Sequence, residues 1–372
     1  MDQVGVSLAG GKQLDTLSTG RPSATVWSSG ERRYAPDAAL ANRFAGDDLE
    51  LTAGPEVGAA GVAAAELAGA TLGALYVAIA VAGELEQYVR GWLQSAVERH
   101  GLHPPAVFGA FSAAAVATKL LRLDVDRFTG ALGAALALAP QSPYVSFSRG
   151  ATGKWLYGAW SQRLGVQSAL WAHAGVVGAD TTLEGSRGIA QAFLHRREPA
   201  LPFRPPESTE GWAITRVTHK AFPCSRACHP ALTALEKLAH IDGNDIERAE
   251  VWSYPFSVEL EKRSAKNNPI ASQMSVSRMV SAALGGKVPV VVHSEGSETL
   301  PPAQRVRKAR VRLTLKDGSV REEAAGAKWD ASAPATDDEL RHRFLEMTEG
   351  KKCFDPWKAG EDTRVVELLR GG

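Results

Sequence analysis

Residues Leu67 to Gly83 read LAGATLGALYVAIAVAG, closed by Glu66 on one side and Glu84 on the other. The run is uncharged and approaches the length of a bilayer span. It has no basic flank and no aromatic belt, and Ala and Gly dominate it. Small side chains let helices approach closely inside a protein core, so the run reads as a buried helix and predicts no membrane partner. Phe128 to Pro140 has the same character.

Working outward, apolar residues recur at helical spacing from about Pro55 to Phe193, with Gly and Pro marking the breaks. The spacing predicts helices over 66–99, 106–121, 126–138 and 161–173. Near 198–210 the composition shifts to Leu201-Pro202-Phe203-Arg204-Pro205-Pro206, which reads as a connection. Beyond it the pattern is mixed. Residues 230–240 and 271–284 read as helices and 248–258 as a strand. Residues 306–315 alternate as a half-wet strand before the turn Lys316-Asp317-Gly318-Ser319. Thr336-Asp337-Asp338-Glu339 opens a last helix with an acidic first turn. The expected fold is mainly α with an α+β second domain. Residues 1–212 would form the large helical domain and 213–335 the smaller α+β lid.

A length of 372 residues suits two domains, and a net charge of +1 provides no field to attract nucleic acid or anionic lipid. Three cysteines do not make a disulfide framework and suit a reducing cytoplasm. Met1 to Gly11 lacks a basic n-region, so no signal peptide is expected.

Several residues have a local context suited to chemistry. His103 lies before Pro104-Pro105 between two helical patterns, and its ordinary pKa lies near working pH. Lys154 follows Gly153 among Trp155, Tyr157 and Trp160, a setting that excludes water and strengthens charge interactions. Lys220 precedes Pro223-Cys224 at the start of the second domain, where an interdomain cleft would lie. Arg278 is the lone charge in an apolar helical stretch, fit either to reach solvent or to meet a buried anion. Asp47 and Asp48 follow Gly46 as turn formers or acidic candidates. Cys224, Cys228 and His229 lack a second ligand pair at zinc-finger spacing, and neither a Walker loop nor a G-x-S-x-G elbow is present. No metal or coenzyme is expected.

Together these segments resemble, in order, the motifs of the MmgE/PrpD family, which holds 2-methylcitrate dehydratases, cis-aconitate decarboxylases and iminodisuccinate epimerases. The residues that carry the resemblance are Val4 to Gly10, Asn42 to Asp48, Ala64-Ala65-Glu66 and Gly101-Leu102-His103-Pro104. Gly153-Lys154, Lys220 to Cys224 with His229, Ala271 to Leu284, Val311 to Gly318 and Pro334 to Phe344 complete it. The resemblance implies a helical domain completed by residues 336–372, an α+β lid and a homodimer. It implies active-site roles for His103, Lys154 and Lys220, with Asp48 a substitute acid or base. Substrate contacts would come from Arg278, Ser275, Thr52, His229 and Tyr157. The chain departs from the family where Thr52 stands for an active-site histidine and Arg278 for a tyrosine. The implied reaction is loss of water from a small anionic polycarboxylate after removal of a proton beside a carboxylate. Decarboxylation, isomerisation or epimerisation would use the same intermediate, and a non-catalytic anion-binding role is a third class.

Overall fold

The computed structural model describes residues 21–27, 30–48, 57–139, 142–195, 204–238, 241–263, 269–296, 307–331, 333–348 and 356–370. A short antiparallel pair, β1 (Ala24–Thr25) and β2 (Arg32–Arg33), opens it. Helices then follow: α1 (Ala35–Asp48), α2 (Gly58–Ala68), α3 (Leu72–Arg99), α4 (Pro104–Leu120), α5 (Val125–Ala137), α6 (Tyr144–Ser148), α7 (Lys154–His173) and α8 (Ile189–Leu194). The second region holds α9 (His229–Lys237), β3 (Ile246–Ser253), α10 (Pro255–Arg263), α11 (Pro269–Gln273), α12 (Val276–Ala283), β4 (Val290–Ser294), β5 (Lys308–Leu315) and β6 (Val320–Gly326). The chain closes with α13 (Asp337–Thr348) and α14 (Val365–Arg370). A helical region followed by an α+β region is the expected fold class.

The apolar run that opened the sequence reading falls in two helices. Gly69 takes a left-handed conformation (φ 62°) and ends α2, and Thr71 Oγ1 accepts from Ala74 N–H to start α3. The single helix expected over 66–99 is therefore corrected to a pair, because glycine supplies a stop that periodicity does not register. Helix α3 has the length and composition to cross a membrane, yet Leu72, Leu75, Ala78 and Ala82 face the core, leaving Tyr76 and Val77 exposed.

Helix α4 is the centre of the helical region: its residues from Ala106 to Thr118 are all buried. Helix α7 crosses it where Gly165 meets Ala113 and Ala114, an approach so close that any Cβ at 165 would overlap both. The buried carboxylate of Glu66 holds the β1–β2 pair on α2. It accepts from Thr25 N–H (2.6 Å), Thr25 Oγ1 (2.7 Å) and Arg32 Nη1 (3.1 Å). At the far end of the chain, Val365 N–H donates to Ala70 O and Leu72 N–H to Thr363 O, so the α14 segment docks on the α2–α3 junction.

The second region is built on a mixed sheet of order β4-β3-β5-β6, with β3 and β4 parallel and the other pairs antiparallel. Ala249, Val251, Ala309, Val311 and Leu313 are buried beneath α9 and α12. The opposite face is wet, and Arg310 lies 3.9 Å over the Trp252 ring. The expected hairpin at 316–319 is present, with Gly318 at φ 82°. Thr336 and Glu339 form the expected capping box. Two boundaries are corrected. The strand expected to 258 stops at Ser253, because Pro255 starts a helix. The helix expected over 271–284 breaks at Met274-Ser275, where Ser275 Oγ accepts from Arg278 N–H as an N-cap.

Candidate active site

His103 is the N-cap residue of α4, in extended backbone (φ −89°, ψ 113°) with Pro104 as the first helical residue. Its N–H donates to Ser142 O (2.8 Å), and Tyr144 N–H donates to Gly101 O (2.7 Å). This pairing draws α6 beneath the imidazole. Phe147 stacks on it at 4.8 Å with planes 17° apart, while the Tyr144 and Tyr157 rings lie 5.8 Å and 6.3 Å away. Tyr157 OH donates to Pro143 O (3.3 Å), tying α7 to the same segment.

Lys154 is the first residue of α7, which starts seven residues before the helix expected from 161, and it is buried. Its Nζ lies 5.7 Å from the centroid of the Phe147 ring, the ring on which His103 stacks. One aromatic floor thus carries the imidazole and the ammonium. Such a floor excludes water and attracts a cation to its face.

Burial lowers the pKa of His103 to about 4, reinforced by the nearby Arg90 and Arg43 cations. The imidazole is neutral at pH 7 and can accept a proton. Its Nδ1 is out of solvent contact and has no hydrogen-bond partner among the described residues. Arg90 is held by Glu86 (2.6 Å) and lies over Phe108, and Arg43 is a buried residue of α1.

In the second region, Lys220 is half-buried at the end of the irregular segment 217–220. His219 N–H in that segment donates to Trp329 O, and Arg343 of α13 bonds to Ala221 O. His229 opens α9 completely buried, its ring 5.3 Å from that of Phe222, and among the described residues neither ring nitrogen has a well-aligned hydrogen-bond partner. Burial pushes its pKa down to about 3, with Arg226 and Lys220 adding to the effect and the carbonyls of Cys224 and Phe222 opposing it weakly. Cys224 and Cys228 are buried free thiols, and contact with Cys224 together with burial raises the Cys228 pKa. A buried thiol with a raised pKa is a poor nucleophile.

Ser275 is fully buried and donates to Glu261 Oε2 (2.8 Å). Ser277 N–H (3.1 Å) and Oγ (2.5 Å) donate to the same carboxylate. Arg278, half-buried, follows directly on α12.

Two contacts join these groups. Gln273 O, at the end of α11, accepts from Ser225 N–H (2.8 Å) and Cys228 Sγ (3.8 Å), tying the turn that follows Lys220 to α11 just before Ser275. Gly150, four residues before Lys154, packs on the backbone of Ala271 so tightly that a Cβ would lie 2.6 Å from Ala271 N and Cα. The structure therefore brings His103, Lys154 and Tyr157 into one cluster. It groups Lys220 with His229, and Ser275 with Arg278, and fastens the three groups along one seam. Asp48 is the last residue of α1 and its side chain is not described; Thr52 lies outside the described residues. Sequence reading missed Phe147, Arg43, Arg90, Gly150 and Glu261. Of these, only Tyr144-x2-Phe147 after Pro143 gave a signal, an aromatic pair at helical spacing.

A helical region and an α+β region thus meet where the Gly150 turn packs on Ala271, with Lys154 and His103 on one side and Lys220 and His229 on the other. The chain belongs to the MmgE/PrpD family: the family's N-terminal domain matches residues 12–202, just over half of it. The family includes dehydratases and cis-aconitate decarboxylases. A cis-aconitate decarboxylase-like protein, oryM, of Aspergillus oryzae is 31% identical over 143 residues. That stretch is 37% of this chain and 29% of the relative, so the chain spans under a third of the relative's length.

Proposed function

We propose that the protein is a cofactor-independent hydro-lyase acting on a citrate-like or alkylcitrate-like β-hydroxy polycarboxylate. Neutral His103 takes the proton from the carbon beside a carboxylate. The electron pair flows into that carboxylate, making a dianionic enediolate, and then expels the β-hydroxyl, which leaves as water once protonated. Lys154 and Lys220 stabilise the enediolate as charge develops, the step at which fixed cations act most strongly. Arg278 clamps a further carboxylate bidentately, and Ser275 and Tyr157 orient the substrate. Asp48 serves as the second acid or base in place of the group lost at Thr52, and His229 shapes the Lys220 pocket. The working form is a cytoplasmic homodimer.

The observation that carries this reading is the shared Phe147 floor beneath a neutral imidazole and a buried ammonium. A second outcome, in which a C–CO2 bond breaks in place of the C–H bond and the same cations stabilise the carbanion left behind, is favoured by the similarity to the cis-aconitate decarboxylase-like protein of Aspergillus oryzae.

Proton NMR in heavy water, with methylcitrate, the aconitate isomers and short alkylated analogues, separates water loss, CO2 loss and bare C–H exchange. Lys154→Ala should lower turnover by about two to three orders of magnitude. Cys224→Ser should change it little. Equal tolerance of both substitutions removes the site assignment, and silence from a folded protein on every substrate favours a non-catalytic anion binder.

A further inference from the structure

Away from the cationic cluster, a cavity of about 460 Å³ lies between α9 and α12 above β5. Leu232 and Leu235 form one wall, Met279 and Ala283 the other, and Leu313 the floor, with Phe222 at one end. Among the described residues Glu236 is the one charged group that lines it. The volume falls in the roughly 300–1,000 Å³ range of small-molecule sites and far exceeds the voids of a packed interior.

Its position links it to the candidate site. Phe222 stands two residues after Lys220 and its ring touches His229, while Met279 follows Arg278 on α12. The lining is predominantly apolar, and Glu236 would repel a second anion. A hydrocarbon chain satisfies both conditions.

We propose that this cavity binds an unbranched alkyl chain carried by the polycarboxylate whose head meets Lys220 and Arg278. The chain part stands on the cavity alone; its attachment to a carboxylate head rests on the proposed function.

The test is calorimetric titration of the full chain with succinate, decanol, hexylsuccinate and decylsuccinate. In the unaltered protein, affinity should rise about two- to fourfold per added methylene as chain is buried. Leu235→Trp and Ala283→Trp fill the cavity from opposite helices. Each should abolish that dependence and decanol binding while leaving succinate binding unchanged, with thermal melting to verify the fold. A chain-length dependence that is absent at the outset, or survives both tryptophans, overturns the proposal. Decanol binding without succinate binding would leave the alkyl cavity standing and sink the proposed function instead. The reverse pattern would sink the cavity alone.

Discussion

His103 and His229 are both kept neutral by the fold, with pKa values of about 4 and about 3 against an ordinary 6.5. A folded pKa below the unfolded one means that, as pH falls from 6.5, the unfolded chain takes up protons that the native state refuses. Stability is therefore complete above pH 6.5 and is lost progressively as pH drops toward 3. The loss due to His229 is at most about 1.4 kcal/mol per pH unit. Thermal melts from pH 7.5 to 5 should show this decline, and His229→Leu, which removes the buried titratable ring, should flatten it. An unchanged slope in the variant would contradict the neutral assignment. In the same residues lies the part of the site that sequence left unread. The Gly153-Lys154 and Leu102-His103 motifs were visible, but Phe147, which gives them a common floor, carries no motif of its own.

At the scale of elements, two helix contacts position the chemistry. Gly165 lets α7 pack directly on Ala113 and Ala114 of α4, and these two helices carry Lys154 and His103 at their N-terminal ends. Gly165→Ala would force the pair apart. Its overpacking should cost about 1–3 kcal/mol in urea denaturation and lower activity beyond what stability alone explains. Glu261 plays the corresponding part for α12 by accepting three hydrogen bonds from Ser275 and Ser277. Glu261→Ala removes the acceptor of all three bonds and should cost about 1–3 kcal/mol. Glu322→Ala, on the wet face of the sheet, should change stability little. Helix identities were legible because burial imposes a period on the chain. Their ends were less so, since Gly69, Ser275 and Pro255 act through backbone geometry rather than periodicity.

For the whole molecule, the decisive contact is Gly150 against Ala271, which fastens the turn before Lys154 to the segment before Ser275. Gly150 has φ 65°, so an alanine there would meet both left-handed strain and a backbone clash. Gly150→Ala should lower the melting temperature, and hydrogen exchange should quicken across 269–278 while the centre of α4 stays protected. Unchanged exchange in that segment would mean that the seam is held elsewhere. The sequence by itself determined a helical half, an α+β half and the order of the family motifs, because periodicity, capping and turn chemistry act over a few residues. Only the tertiary structure decided that His103 and Lys154 share one ring, that Gln273 ties the turn after Lys220 to α11, and that a mostly apolar cavity opens between α9 and α12. Those arrangements depend on close packing between residues far apart in the chain, which no local pattern records.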